Sequence, residues 1–236
     1  PLNNSEPIVV RVSTKNAAGK WSIQLTEISP RNMLVSILIS GTLIIIICVV
    51  LLIGWKVKSN SSFKWPLIGA GAWFVGVVLK FGFAYLFNNP ILEVLKESFG
   101  QTGYLSLGSI YIGLLTGVFE IGVTLVFVLL IKGIYRNAQR GIGIGLGAGT
   151  IEALLLGFSQ IGAFAMVISG SPGSSDIITS LINATVHTPL VFLVAPVERI
   201  IAILCHTSSR ALVVLSVVKK KQIYFWAGFL IMTAIV

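Results

Sequence analysis

The chain has 236 residues, 55% of them hydrophobic and 11% charged, with a mean hydropathy of +0.94 and a formal net charge of +9. A soluble domain carries about a quarter charged residues, so this composition excludes a water-soluble enzyme. The basic balance does not indicate nucleic-acid binding either, because no basic patch is interleaved with exposed aromatics.

Residues 1–32 differ in kind from the rest. The stretch IVVRVSTKNAAGKWSIQLTEI reads as two short strands around an Asn-Ala-Ala-Gly turn, with Trp21, Ile23 and Leu25 alternating against Lys20, Ser22 and Gln24. It is expected to be the last β-hairpin of an extracytoplasmic segment. The apolar stretch that follows is too long, and comes too late, for a signal peptide.

The remainder, 33–236, is expected to be an all-α polytopic membrane bundle. About 20 apolar residues cross a bilayer, and such runs lie at about 33–55, 65–87, 105–131, 141–168, 197–218 and 222–236. Six crossings follow, the last cut short where the sequence stops inside IYFWAGFLIMTAIV, so the chain reads as a piece of a longer protein. The linkers holding Lys56, Lys58 and Lys64, then Lys132, Arg136 and Arg140, then Lys219–Lys221, are basic and are expected on the cytoplasmic side, with the N-terminus outside. If 177–195 also crossed, the three lysines would be forced outward, so that stretch is expected to be interfacial or re-entrant. Cys48 and Cys205 lie in apolar runs without metal or disulfide spacing.

An ionisable group at bilayer depth costs at least about 2.5 to 3.5 kcal/mol, so each needs a partner or a purpose. Lys80, Glu120, Glu152, His206 and Arg210 lie well inside the spans, and Glu198 and Arg199 lie near the outer end of theirs. Glu120, Glu152 and His206 each fall near the middle of their own helices. Small residues at helical spacing share their faces: Gly113, Thr116, Gly117 and Thr124 with Glu120; Gly145, Ala148, Gly149 and Ser159 with Glu152; Ala202 and Ser209 with His206. Gly141, Gly145 and Gly149 form one small face of the fourth helix, and Gly143 and Gly147 a second, so this helix is expected to pack closely on two sides. The same glycines lack the Gly-Lys-Ser/Thr of a phosphate loop. Two carboxylates and two cations also balance in number, so buried ion pairs that fix the bundle are a competing reading.

Asp176 is the only aspartate, which excludes an aspartyl dyad. The serine signal around Ser159 is weak, and HExxH is absent. A Glu/Glu/His set remains. It would hold a zinc ion with an open water position, or use a glutamate directly as general base.

Four stretches, FKWPLIGAGAWF, GVFEIG, GLGAGTIEALLLG and VERIIAILCHTSSRALVVLSVVKKK, resemble the YhfC-type intramembrane metalloproteases, themselves distantly similar to the CAAX- and bacteriocin-processing membrane proteases and PrsW. The resemblance covers about residues 60–236. It implies a zinc-dependent peptidase acting on a transmembrane substrate, with Glu120, Glu152 and His206 as metal ligands, Glu152 and Glu120 as catalytic carboxylates, and Glu198 with Arg199 as a catalytic orienting pair. The chain departs from the pattern at Ile121, Thr124 and Ala148, where the family carries a second glutamate, an arginine and the histidine of Gly-His-Gly. Two other classes stay open: a non-enzymatic scaffold or sensor binding a partner helix, and a transporter, for which no inverted repeat or pair of broken helices is evident.

Overall fold

The structure is a computed structural model and describes residues 8–15, 21–28, 30–134, 137–187 and 191–235. Strands β1 (Ile8–Lys15) and β2 (Trp21–Ile28) are antiparallel neighbours, with Ile8 opposite Ile28 and Lys15 opposite Trp21. The Asn-Ala-Ala-Gly turn expected between them lies outside the described residues.

Helix α1 (Pro30–Ser59) opens on a proline, whose fixed φ suits the first helical position. It closes on Lys56 and Lys58, which complement the negative end of the helix. Asn60 then takes φ 48 and its N–H bonds to the Lys56 carbonyl at 3.0 Å, ending the helix with a left-handed residue that Asn tolerates.

Helix α2 (Lys64–Thr116) continues through a π-helical turn (Gly117–Ile121) into α3 (Gly122–Leu130). This apolar run of 67 residues would be about 100 Å long if straight, some three times the hydrocarbon thickness. It is not straight. Gly100 sits at φ 66, ψ −171, a conformation essentially reserved for glycine, and the two arms fold back on each other. Gly76 meets the backbone of Phe119 and Glu120, Tyr111 donates to Asn88 Oδ1 at 2.9 Å, and Leu92 packs over Gly108. Gly100→Ala is expected to cost about 1 to 3 kcal/mol, seen as a lowered melting temperature; an unchanged Tm would mean that the reversal does not depend on this backbone.

The remaining helices are α4 (Ala138–Ser169), α5 (Ser174–His187), α6 (Val191–Lys219) and α7 (Gln222–Ala234). Four described helical runs are long and apolar enough to cross a membrane: Leu34–Ser59, Lys64–Leu130, Ala138–Ser169 and Phe192–Lys219. Two of the six expected crossings, 65–87 and 105–131, belong to one helical run, because the stretch between them is rich in helix formers and leaves helical geometry only at Gly100, and the described part of the last expected crossing is the 13-residue α7. The stretch 177–195, expected to be interfacial or re-entrant, covers most of α5 and the first turn of α6, which starts six residues before the expected 197 because it tolerates Pro196 in its second turn.

The chain separates into two compact units, Pro1–Cys48 with Ala153–Arg199, and Val49–Glu152 with Ile200–Val236. In the first, Leu34, Ile37 and Val167 are buried with Phe164, Ile177 and Ile178 against them, and the backbones of Gly41 and Gly157 touch. In the second, α4 packs on two sides as its glycine spacing predicts. Gly141, Gly145 and Gly149 lie against Val214, Thr207 and Ile203 of α6, while Gly143 meets the Trp55 ring and Gly147 the Pro66 backbone. Close backbone approach of this kind is what small residues provide where lipid supplies no hydrophobic drive.

Candidate functional site

Every member of the polar centre lies in the second unit. Glu120 sits in the π-helical turn, where the widened backbone turn, a feature frequent at functional sites, sets its side chain. The Thr124 hydroxyl donates to the Glu120 carbonyl at 2.7 Å. On α2, Gly69, Trp73, Gly76 and Lys80 recur at three- and four-residue spacing and share one face. The glycines bring that face against α4 and the π-helical turn, which carries Trp73 and Lys80 to the carboxylates.

The contacts form one continuous chain. Lys80 Nζ donates to Glu120 Oε1 at 2.9 Å and to Thr116 Oγ1 at 3.4 Å. Arg210 Nη2 donates to Glu120 Oε2 at 3.1 Å, and Arg210 Nη1 lies 2.8 Å from His206 Nδ1. His206 Nε2 lies 3.1 Å from Glu152 Oε2, which also accepts the Trp73 indole N–H at 3.0 Å. Glu120, His206 and Arg210 are 2%, 2% and 0% exposed, whereas the side chains of Lys80 and Glu152 are 21% and 28% exposed. The buried middle is thus Glu120, Arg210 and His206, and the two ends reach the edge.

A guanidinium has no lone pair to offer, so His206 Nδ1 must accept from Arg210. The neutral ring then carries its proton on Nε2 and donates it to Glu152. Nitrogen-15 NMR of His206 is expected to read the Nε2–H tautomer; a proton on Nδ1 would contradict the Arg210 contact.

The structure brings Glu120, Glu152 and His206 together, with one donor atom from each lying within 4.8 Å of the others. Glu198 and Arg199 belong to the first unit and pair with each other as sequence neighbours, with the Glu198 side chain 61% exposed. Both intramembrane cations serve Glu120, where an even sharing between the two glutamates was equally compatible with the sequence. Trp73 went unnoticed in the sequence, although its position seven residues before Lys80 on a glycine-lined face is a readable signal.

The sequence matches the family model described as YhfC intramembrane metalloprotease over residues 43–236. The chain belongs to this family. No curated protein and no solved structure matches it. YhfC membership implies a metal, so the donor set needs testing against one. Both oxygens of Glu120 are taken by cations. A metal-binding imidazole normally donates its second N–H to an acceptor, but His206 Nδ1 faces a donor. Glu120 and Glu152 carry two negative charges and Lys80 and Arg210 two positive ones, so a divalent ion would leave the buried centre with uncompensated charge. Arg210 Nε is buried without a hydrogen-bond partner, and this unmet need is for an acceptor, which a cation cannot supply. Ala148, one helical turn before Glu152, is fully buried and offers no donor atom. As arranged, these residues do not fit a resident zinc ion.

Proposed function

We propose that this YhfC chain keeps the protease bundle without the metal chemistry and acts as a membrane-embedded binding protein for a transmembrane partner helix. The observation that carries this reading is Arg210, which holds Glu120 and His206 at once and commits both candidate ligands to a neutral ion-pair network. The partly exposed ends of that network, Lys80 and Glu152, are the groups a partner's polar side chain would meet. The basic linkers support an orientation with the N-terminal strands outside the cell and Lys219–Lys221 on the cytoplasmic face.

A second reading, a zinc-dependent intramembrane peptidase, is favoured by the family description and by the proximity of the three donors. Metal content, measured by mass spectrometry on full-length protein purified from zinc-supplemented cells, separates the two. The binding reading expects well under one zinc per chain and no change in Tm with a chelator. About one zinc per chain, lost in His206→Ala, would establish the peptidase reading and sink the first.

A further inference from the structure

At the end of α6 the chain turns sharply. Lys220 takes φ 52, the Lys221 N–H bonds to the Ser216 carbonyl at 3.2 Å, and α7 begins at Gln222 without a side-chain cap from Lys221. A pocket of about 440 Å3 opens here, lined by Leu125 of α3 and by Lys220, Lys221, Gln222, Phe225 and Trp226. Its walls divide by chemistry, with cations and an amide at the turn, and aliphatic and aromatic groups along the helices.

Lys219, Lys220 and Lys221 are exposed, and none pairs with a carboxylate among the described residues. No Asp or Glu occurs anywhere in residues 200–236, so the pocket's own surroundings offer no counter-ion. The turn ends one apolar helix and begins another, and three lysines cannot lie in hydrocarbon, which puts it at headgroup level. Trp226 is 52% exposed, as expected of an aromatic anchor in the interface.

We infer that this pocket is a binding site for the phosphate of an anionic phospholipid, with Lys220 and Lys221 on the headgroup and Phe225, Trp226 and Leu125 against the upper acyl chain. Basic pockets between membrane helices suit such headgroups. Inorganic phosphate shares the charge but cannot use the apolar wall, so the lipid is the occupant. The site is independent of the polar centre around Glu120.

Full-length protein in neutral detergent is titrated with phosphatidylglycerol, phosphatidylcholine or inorganic phosphate while Tm is followed. Phosphatidylglycerol is expected to raise Tm by about 5 °C more than phosphatidylcholine, with no shift from inorganic phosphate. The difference is expected to vanish in Lys220→Gln/Lys221→Gln and to persist in Lys56→Gln/Lys58→Gln, which alters a basic turn outside this pocket. Equal effects of the two lipids, an equal shift from inorganic phosphate, or equal loss in the control variant would overturn the assignment. Should the double variant not fold, native mass spectrometry of wild type and Trp226→Ala decides: selective retention of phosphatidylglycerol, reduced in the variant, supports the site, and unselective or unchanged retention refutes it.

Discussion

Arg210→Met is expected to be among the most damaging single substitutions in the bundle, costing about 3 to 5 kcal/mol because it strands a buried carboxylate beside only one cation. For a chain of this size, that is a fall in Tm of about 6 to 20 °C. The side chain is fully buried and bonds to three partners on different elements, Glu120, His206 and the Met232 sulfur. The decisive comparison is with Glu120→Gln and the double substitution. If Arg210 acts mainly through Glu120, the double variant loses much less than the sum of the single losses, because Lys80, at 21% exposure, can turn its ammonium outward. Additive losses would show that the two residues are uncoupled and would remove the basis for a closed network.

Gly147→Ala is expected to be the next most damaging, for a different reason. An added Cβ would overlap the Pro66 carbonyl oxygen, and one added to Gly69 would overlap that of Ile144, so the crossing of α2 and α4 leaves no room on either side. Backbone atoms cannot rotate away as a side chain can. The helices must separate, costing about 1 to 3 kcal/mol or more, and separation pulls the Trp73 indole off Glu152. Gly71 and Gly82, on α2, face open space where a Cβ would stand. There the same change is expected to be neutral or to stabilise by about 0.5 to 1 kcal/mol through helix propensity. A lower Tm for Gly147→Ala alone would tie the effect to the crossing, whereas equal behaviour at all three positions would count against such tight packing.

These residues also show how far the sequence could be read. Glu120, Glu152 and His206 stood out because charge in an apolar helix is costly, and their small-residue faces pointed inward. The two packed faces of α4 were legible for a similar reason: glycines four apart have no other use on a helix between helices. A reversal between 65–87 and 105–131 followed from the two expected crossings, but its form was hidden: the Leu, Glu and Lys residues between them keep the chain helical up to Gly100, and a single glycine does not announce a positive φ. The π-helical turn was equally hidden, since one extra residue in a turn leaves the apolar pattern intact. How Lys80 and Arg210 are shared between two carboxylates depends on side-chain reach across four elements, which residue spacing along one helix does not encode.

The pairing of Lys80 with Glu120 across the fold-back bears on how the protein enters the membrane. The two residues are 40 apart in sequence, so at ordinary translation rates the arm bearing Lys80 emerges about 2 to 8 s before its counter-charge. An arm carrying an unneutralised lysine is poorly suited to leave the insertion channel alone. Waiting for the second arm, and partitioning as a pre-paired helical hairpin, presents lipid with a net-neutral object. Gly100 would then serve biogenesis as much as the finished fold, by letting the arms meet before either is released.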